Sequence, residues 1–155
     1  MAKNFSPQLM KSISGYMDSH SIHYTTDSEK GLLRAAFRLD CKLKEYKLIV
    51  DLYNCYYIVY CTLNISADEG CRHQAAEFLI RANRKMGLGN FELDMRDGEI
   101  RIKYTVDCED CPPSEGVISS SLTLGDAYLE RFGDALLSVL FGFATPEAAI
   151  AACSK

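Results

Sequence analysis

Segments that could enter a membrane are missing from this sequence. The most apolar run, residues 135–144, stops at Thr145-Pro146, and it is about half as long as the roughly 20 residues that a membrane-spanning helix needs. Residues 1–7 contain no apolar core of the kind found in secretory signals. We therefore expect a soluble, cytoplasmic protein with no membrane partner.

Motifs typical of enzymes are missing as well. The histidines, His20, His23 and His73, do not form a zinc-binding pair, and no serine lies in a Gly-x-Ser-x-Gly turn. Gly87 and Gly89 follow a predicted helix rather than a strand, so they cannot form a phosphate-binding loop of the known kind. We expect a protein that is not an enzyme and needs no cofactor.

Positive charge is not in excess. Seventeen Lys and Arg against 21 Asp and Glu leave a net charge of −4, which argues against a nucleic-acid partner.

The sequence contains seven cysteines, an odd number, and most of them lie within apolar patterns. This indicates reduced thiols that act as small hydrophobic side chains. With 155 residues, 48% hydrophobic and 25% charged, the chain has the size and composition of one globular domain over residues 1–155.

Apolar periodicity supplies the positive evidence. Ser6 and Pro7 form the cap-and-proline start of a first helix. Alternating apolar residues between 22 and 65 then predict four strands, and residues 46–53 and 56–65 are the richest in β-forming side chains. If Asn54 and Cys55 form a two-residue turn, one face of this pair contains Tyr46 opposite Leu63, Leu48 opposite Cys61, Val50 opposite Val59, and Leu52 opposite Tyr57.

The opposite face of the same strands is also apolar. It carries Ile49, Tyr53, Tyr56, Ile58 and Tyr60. Two interpretations remain open, because a sheet buries each apolar face against another layer. Either the C-terminal helices cover this face and the tyrosines are ordinary core, or part of it stays open as a surface for a protein partner or a second copy of the chain.

Residues 78–101 change from helical to strand periodicity. Ser66 to Glu69 has the spacing of a capping box for a second helix, and Gly87 is predicted to end that helix in a left-handed conformation. Asp97-Gly98 then favours a type I′ turn. That turn predicts three opposite-charge pairs across a hairpin: Arg96 with Glu99, Asp94 with Arg101, and Glu92 with Lys103.

Helices complete the chain. Ser114 is predicted to cap a short helix, a longer helix follows Thr123, and Thr145-Pro146 starts a last one. The order is α-ββββ-α-ββ-α(α), which indicates an α+β fold with an antiparallel sheet flanked by helices.

The middle of the chain resembles the YbjN family, a bacterial group described as sensory transduction regulators. The matching segments are residues 76–83 (AEFLIRAN), 87–94 (GLGNFELD) and 97–101 (DGEIR). The resemblance is clear over residues 66–107 and extends by element order from 20 to about 142. It implies a fold like that of type III secretion chaperones, many of which dimerise and bind other proteins. It transfers no catalytic residue.

Two functions therefore remain to be weighed. The preferred hypothesis is a non-enzymatic protein-interaction or regulatory module, chaperone-like, that binds an unknown protein or forms a homodimer through the second sheet face. The alternative is a small thiol-redox or metal-binding protein that uses Cys108 and Cys111. A lone Cys-x-x-Cys is weak evidence, since no second ligand pair follows for zinc and Glu109 and Asp110 disfavour a thiolate.

Overall fold

A six-stranded antiparallel sheet and four helices form the described part of the chain, residues 3–153, in a computed structural model. The predicted α+β class and element order are confirmed. The helices are α1 (Pro7–Ser19), α2 (Arg72–Asn83), α3 (Glu115–Leu140) and α4 (Pro146–Ala152). The strands are β1 (Thr25–Asp27), β2 (Leu32–Arg38), β3 (Glu45–Leu52), β4 (Tyr56–Ser66), β5 (Asn90–Leu93) and β6 (Glu99–Asp107).

The strands lie in the spatial order β1-β2-β3-β4-β6-β5. The predicted register of β3 on β4 is confirmed from Tyr46–Leu63 to Leu52–Tyr57. The Tyr53 N–H donates to the Tyr56 carbonyl at 2.9 Å, so Asn54 and Cys55 form the expected two-residue turn. The alternation of apolar residues and the short turn together specify this register, because a slip of one residue would expose the core face.

The helices pack on one face of the sheet. The Tyr46 hydroxyl donates to Asp126 of α3 at 2.8 Å, and Tyr57 shares a 2.9 Å hydrogen bond with Ser121 of the same helix. A Cβ atom at Gly125 would lie 2.6 Å from Cys61 Sγ, so glycine lets α3 approach the sheet closely. Helices α1, α2 and α4 pack beside α3 around the same core. The C-terminal helices therefore cover the face of Tyr46, and no helix within residues 3–153 packs on the opposite face.

The start of α2 differs from the expected capping box. Ser66 remains in β4, opposite Glu99, and a 3₁₀ turn at Glu69–Cys71 precedes the helix, which begins at Arg72. The reason is tertiary: the Ala67 N–H donates to the Gly98 carbonyl at 2.8 Å, which holds the chain extended against the β5–β6 loop. The Arg72 guanidinium then donates to the carbonyls of Ala67 and Met95.

The end of α2 also differs. The helix ends at Asn83, and its C-terminal cap is Arg84 in a right-handed conformation. Of the two glycines that follow the helix, Gly89 has a positive φ, at +66°, and Gly87 does not, so the prediction of a left-handed cap at Gly87 is wrong. The Gly87 N–H instead donates to the Tyr128 hydroxyl of α3 at 2.9 Å. The long-range hydrogen bond from Gly87 to Tyr128 therefore holds this turn, whereas the sequence predicted a local cap at Gly87.

The β5–β6 hairpin has a four-residue loop, residues 95–98, rather than the predicted type I′ turn. The Gly98 N–H donates to the Asp94 carbonyl at 2.7 Å, while the Asp94 and Asp97 carboxylates accept the backbone N–H groups of Arg96 and Glu99. The wider loop shifts the register by two residues, so that Glu92 lies opposite Arg101. Since a shift of two keeps every side chain on its face, the apolar face survives.

The three charge pairs expected from the narrower turn change accordingly. Asp94 pairs with Arg96 at 2.6 Å rather than with Arg101, and Arg96 does not face Glu99. Glu92 contacts Arg101 at 2.8 Å and, diagonally, Lys103 at 3.6 Å.

Helix α3 is one continuous helix of 26 residues, so the predicted break before Thr123 is wrong. The hydroxyls of Ser120 and Thr123 donate to the carbonyls four residues earlier, and Ser121 donates to Ile118. These bonds satisfy the hydroxyls without interrupting the helix. The predicted caps are confirmed, because Ser114 accepts from Val117 N–H and Thr145 accepts from Ala148 N–H, both at 3.2 Å.

Candidate protein-binding surface

The sheet face opposite the helices, here called the open face, contains all five residues predicted for it. Ile49 lies opposite Tyr60, Asp51 lies opposite Ile58, and Tyr53 and Tyr56 flank the turn. Ile58 is 8% exposed, whereas the other four are half-buried. Their role in binding stays a prediction, but they lie together on a face that none of the helices in the described part of the chain covers.

Tyr53 and Tyr56 form a fixed aromatic pair at one end of the open face. Their rings stack with centroids 4.4 Å apart and planes 10° from parallel. The Lys3 ammonium lies 3.5 Å from the Tyr53 ring centroid and pairs with Asp51, which also accepts from the Tyr53 hydroxyl at 3.1 Å. Burial and this hydrogen bond raise the pKa of Tyr53 to about 12, so the phenol stays a neutral donor.

Tyr60 lies at the centre of the open face beneath a guanidinium. Arg101 Cζ is 4.3 Å from the Tyr60 ring centroid, and the same guanidinium donates to Glu92 at 2.8 Å. A cation over an aromatic ring contributes about 0.5–1 kcal/mol at exposed sites. These contacts hold the ring in place, so little side-chain freedom would be lost when a partner docks.

The outer edge of β5 is closed by the side chain of Asn83. Its Oδ1 accepts from Phe91 N–H at 2.7 Å, and its Nδ2 donates to the Phe91 carbonyl at 3.1 Å. The amide thus replaces a neighbouring strand and blocks strand addition at Phe91. The sequence contained this residue in the segment 76–83, but its role appears only once α2 is placed beside β5.

A family model described as "Putative bacterial sensory transduction regulator", YbjN, matches residues 11–138. The chain belongs to the YbjN family. The match includes every strand of the sheet, and hence the open face. No curated protein matches the chain. Within residues 3–153, no helix is long and apolar enough to cross a membrane.

The Cys108-x-x-Cys111 motif lies inside the YbjN match, in the segment that joins β6 to α3. Cys108 is half-buried, its N–H donates to the Cys55 carbonyl at 2.7 Å, and its thiol donates to the Val106 carbonyl at 3.7 Å. Cys111 is exposed. Burial, followed by the charge of Asp107, raises the pKa of Cys108. The sequence predicts that Glu109 and Asp110 disfavour a thiolate. At Cys108 the main causes of this unfavourable effect are instead burial and the charge of Asp107.

We expect Cys108 and Cys111 to be reduced, free of stoichiometric zinc and of ordinary reactivity. Among residues 3–153, no three His, Cys, Asp or Glu side chains are grouped so that they could hold a metal ion. Since its pKa is raised, Cys108 should react with iodoacetamide at pH 7 no faster than free cysteine, and its rate should increase as the pH rises. Peptide mass spectrometry measures the rate and plasma emission measures zinc. One zinc per chain, or a fast reaction at pH 7, would contradict this prediction.

A second exposed apolar patch lies beyond the YbjN match, in the α3–α4 loop. Phe141 is 62% exposed and Phe143 is 85% exposed. They border a groove of about 530 Å³ that is also lined by Cys71 and Gln74 near the start of α2. No sequence pattern distinguishes these phenylalanines as a surface patch, because they follow directly on an apolar helix and share its composition.

Proposed function

We propose that this member of the YbjN family is a non-enzymatic regulatory module that binds another protein through the open face of its sheet. The supporting observation is that Ile49, Tyr53, Tyr56, Ile58 and Tyr60 share a face that the helices leave uncovered. In an antiparallel sheet with one solvent-facing side, residues alternate along each strand, and those on the solvent-facing side are normally polar. Here aromatic and aliphatic side chains occupy five of those positions, on β3, β4 and the turn between them.

The chemistry of these side chains favours a protein as the occupant. Tyrosine offers a large apolar ring together with a hydroxyl that tolerates water, and it is enriched at protein interfaces. The stacked Tyr53–Tyr56 pair and the Arg101–Tyr60 contact are already ordered within the chain. Preorganised anchors of this kind reduce the entropic cost of association.

Replacing Tyr56 and Tyr60 together by glutamate is the direct test. Both are half-buried, and a glutamate at position 60 would lie next to Arg101 and Lys103, so we expect a folded protein. We expect loss of the partner in a pull-down from the native cytoplasm, with the remaining proteins unchanged. If the occupant is instead a second copy, light scattering should show the mass of the variant fall by half.

The matched control is Phe141→Glu with Phe143→Glu, which introduces the same two charges into the other exposed aromatic patch. It should leave both the partner list and the mass as they are in the parent. A folded tyrosine variant with unchanged mass and unchanged partners would show that the open face is not the binding surface. Loss of the partner only in the phenylalanine variant would move the surface to the α3–α4 loop.

A further inference from the structure

Two adjacent rows of residues cross the middle of the open face from strand to strand. The first row is Arg34, Ile49, Tyr60 and Lys103, each directly opposite the next on β2, β3, β4 and β6. The second row is Ala36, Lys47, Thr62 and Arg101 on the same strands. These two rows, here called the cationic band, contain four positive side chains and no carboxylate.

The charge of the cationic band is only partly neutralised. Glu92 of β5, next to Arg101 in the second row, contacts both Arg101 and Lys103. Glu99 also contacts Arg101, at 3.9 Å. Arg34 and Lys47 are exposed, and neither forms an ion pair with any carboxylate in residues 3–153. Four cations against these two carboxylates leave about two positive charges here, on Arg34 and Lys47, on a chain whose net charge is −4.

A groove adjoins the two unpaired cations. It encloses about 540 Å³, and Arg34, Lys47, Ala36, Ile49 and Tyr24 contribute to its walls. The charged side chains of Arg34 and Lys47 therefore lie beside apolar ones in the same groove. Protein interfaces combine an apolar core with a polar rim in this way.

Carboxylates border the cationic band on both sides. Asp27, Asp51 and Asp107 lie toward one end of the strands, and Glu45 and Glu99 lie toward the other. With strands about 4.8 Å apart, the distance from Arg34 on β2 to Lys103 on β6 is roughly 14 Å, or about four extended residues. The positive region is therefore short and is bordered by carboxylates, of which Asp51 and Asp27 are paired with Lys3 and Lys30.

We propose that the open face binds a short acidic segment of a partner protein, with carboxylates on Arg34 and Lys47 and apolar side chains against Ile49 and Tyr60. This inference rests on the proposed function and adds the chemistry of the partner. A long polyanion such as RNA would extend from the band into the bordering carboxylates. A two-fold dimer centred on the band would bring the cations of both copies together, which is unfavourable.

Selection from a display library of random 12-residue peptides on the immobilised full chain tests this without a known partner. We expect the selected peptides to be enriched in Asp and Glu interspersed with apolar residues. Binding of those peptides should weaken about tenfold or more in Arg34→Glu with Lys47→Glu, and it should also weaken with added salt. The control Lys11→Glu with Lys42→Glu makes the same change of net charge with exposed lysines of α1 and the β2–β3 turn and should bind like the parent.

Four results would overturn the inference. Selected peptides without acidic enrichment, or equal binding by the Arg34/Lys47 variant, would show that the cations do not recognise the partner. Tighter binding of a mixed-sequence 12-nucleotide single-stranded RNA than of any selected peptide would assign the band to nucleic acid. Neutral peptides that bind the parent but not the Tyr56/Tyr60 variant would overturn the acidic partner while leaving the proposed function standing.

Discussion

Gly98→Val is expected to destabilise the protein by about 3 kcal/mol or more. Gly98 has φ +81°, a conformation that a β-branched residue adopts only with strain. A Cβ atom there would lie 2.0 Å from the Ala67 carbonyl oxygen, so the backbone of one segment must move. That movement would also weaken the 2.8 Å bond from Ala67 N–H to the Gly98 carbonyl. Strain and overpacking cost roughly 1–3 kcal/mol each.

Thermal unfolding followed by circular dichroism measures this change, and the midpoint should fall by roughly 6–12 °C. Gly87→Val is the matched control, because Gly87 has no positive φ and a Cβ atom there would meet nothing within 4 Å. We expect its midpoint to stay close to that of the parent. Equal midpoints for the Gly98 variant and the parent would show that the loop does not pack on Ala67.

Phe132→Ala should cost about 3–5 kcal/mol, the usual range for removal of a fully buried phenylalanine ring. Phe132 is 0% exposed. Its ring and that of Phe91 are arranged edge to face with centroids 6.1 Å apart, and its centroid lies 6.3 Å from that of Tyr128. The ring therefore links α3 to β5 at the edge of the sheet, and its loss leaves a cavity between the two layers.

Chemical denaturation with a fit to the midpoint and slope quantifies this loss. Phe143→Ala provides the comparison, since that ring is 85% exposed and should change the free energy of unfolding by no more than about 0.5 kcal/mol. If both variants lost the same stability, α3 could not pack on the sheet as described. The contrast tests the layer arrangement on which the open face depends.

Local patterns in the sequence predicted the structure correctly where the interactions that decide it lie close together in the chain. The Ser6-Pro7 and Thr145-Pro146 starts of α1 and α4 are confirmed, because a cap and a proline act within one helical turn. The β3–β4 register is confirmed since a two-residue turn and alternating apolar residues admit one pairing. These features need no information from distant parts of the chain.

Local patterns failed where a distant segment competes for the same backbone groups. The capping box at Ser66 gives way to the bond between Ala67 and Gly98, and the cap at Gly87 gives way to Tyr128. The type I′ turn at Asp97-Gly98 fails for a local reason instead, because the Asp94 and Asp97 carboxylates bind backbone N–H groups two residues further along the chain. A helix cap and a tertiary hydrogen bond each contribute about 1 kcal/mol, so one tertiary hydrogen bond can outweigh a local cap.

By itself, the sequence determined the α+β class, the order of the elements and the resemblance to the YbjN family. It also determined which five residues share the second sheet face. It could not determine which face the helices cover, because both faces of β3 and β4 are apolar. The tertiary structure decided this through Gly125, Ser121 and Asp126, which bring α3 against Tyr46, Tyr57 and Cys61. Only the pairing of β2, β3, β4 and β6 placed Arg34, Lys47, Arg101 and Lys103 side by side, since residues far apart in the chain become neighbours only across a sheet.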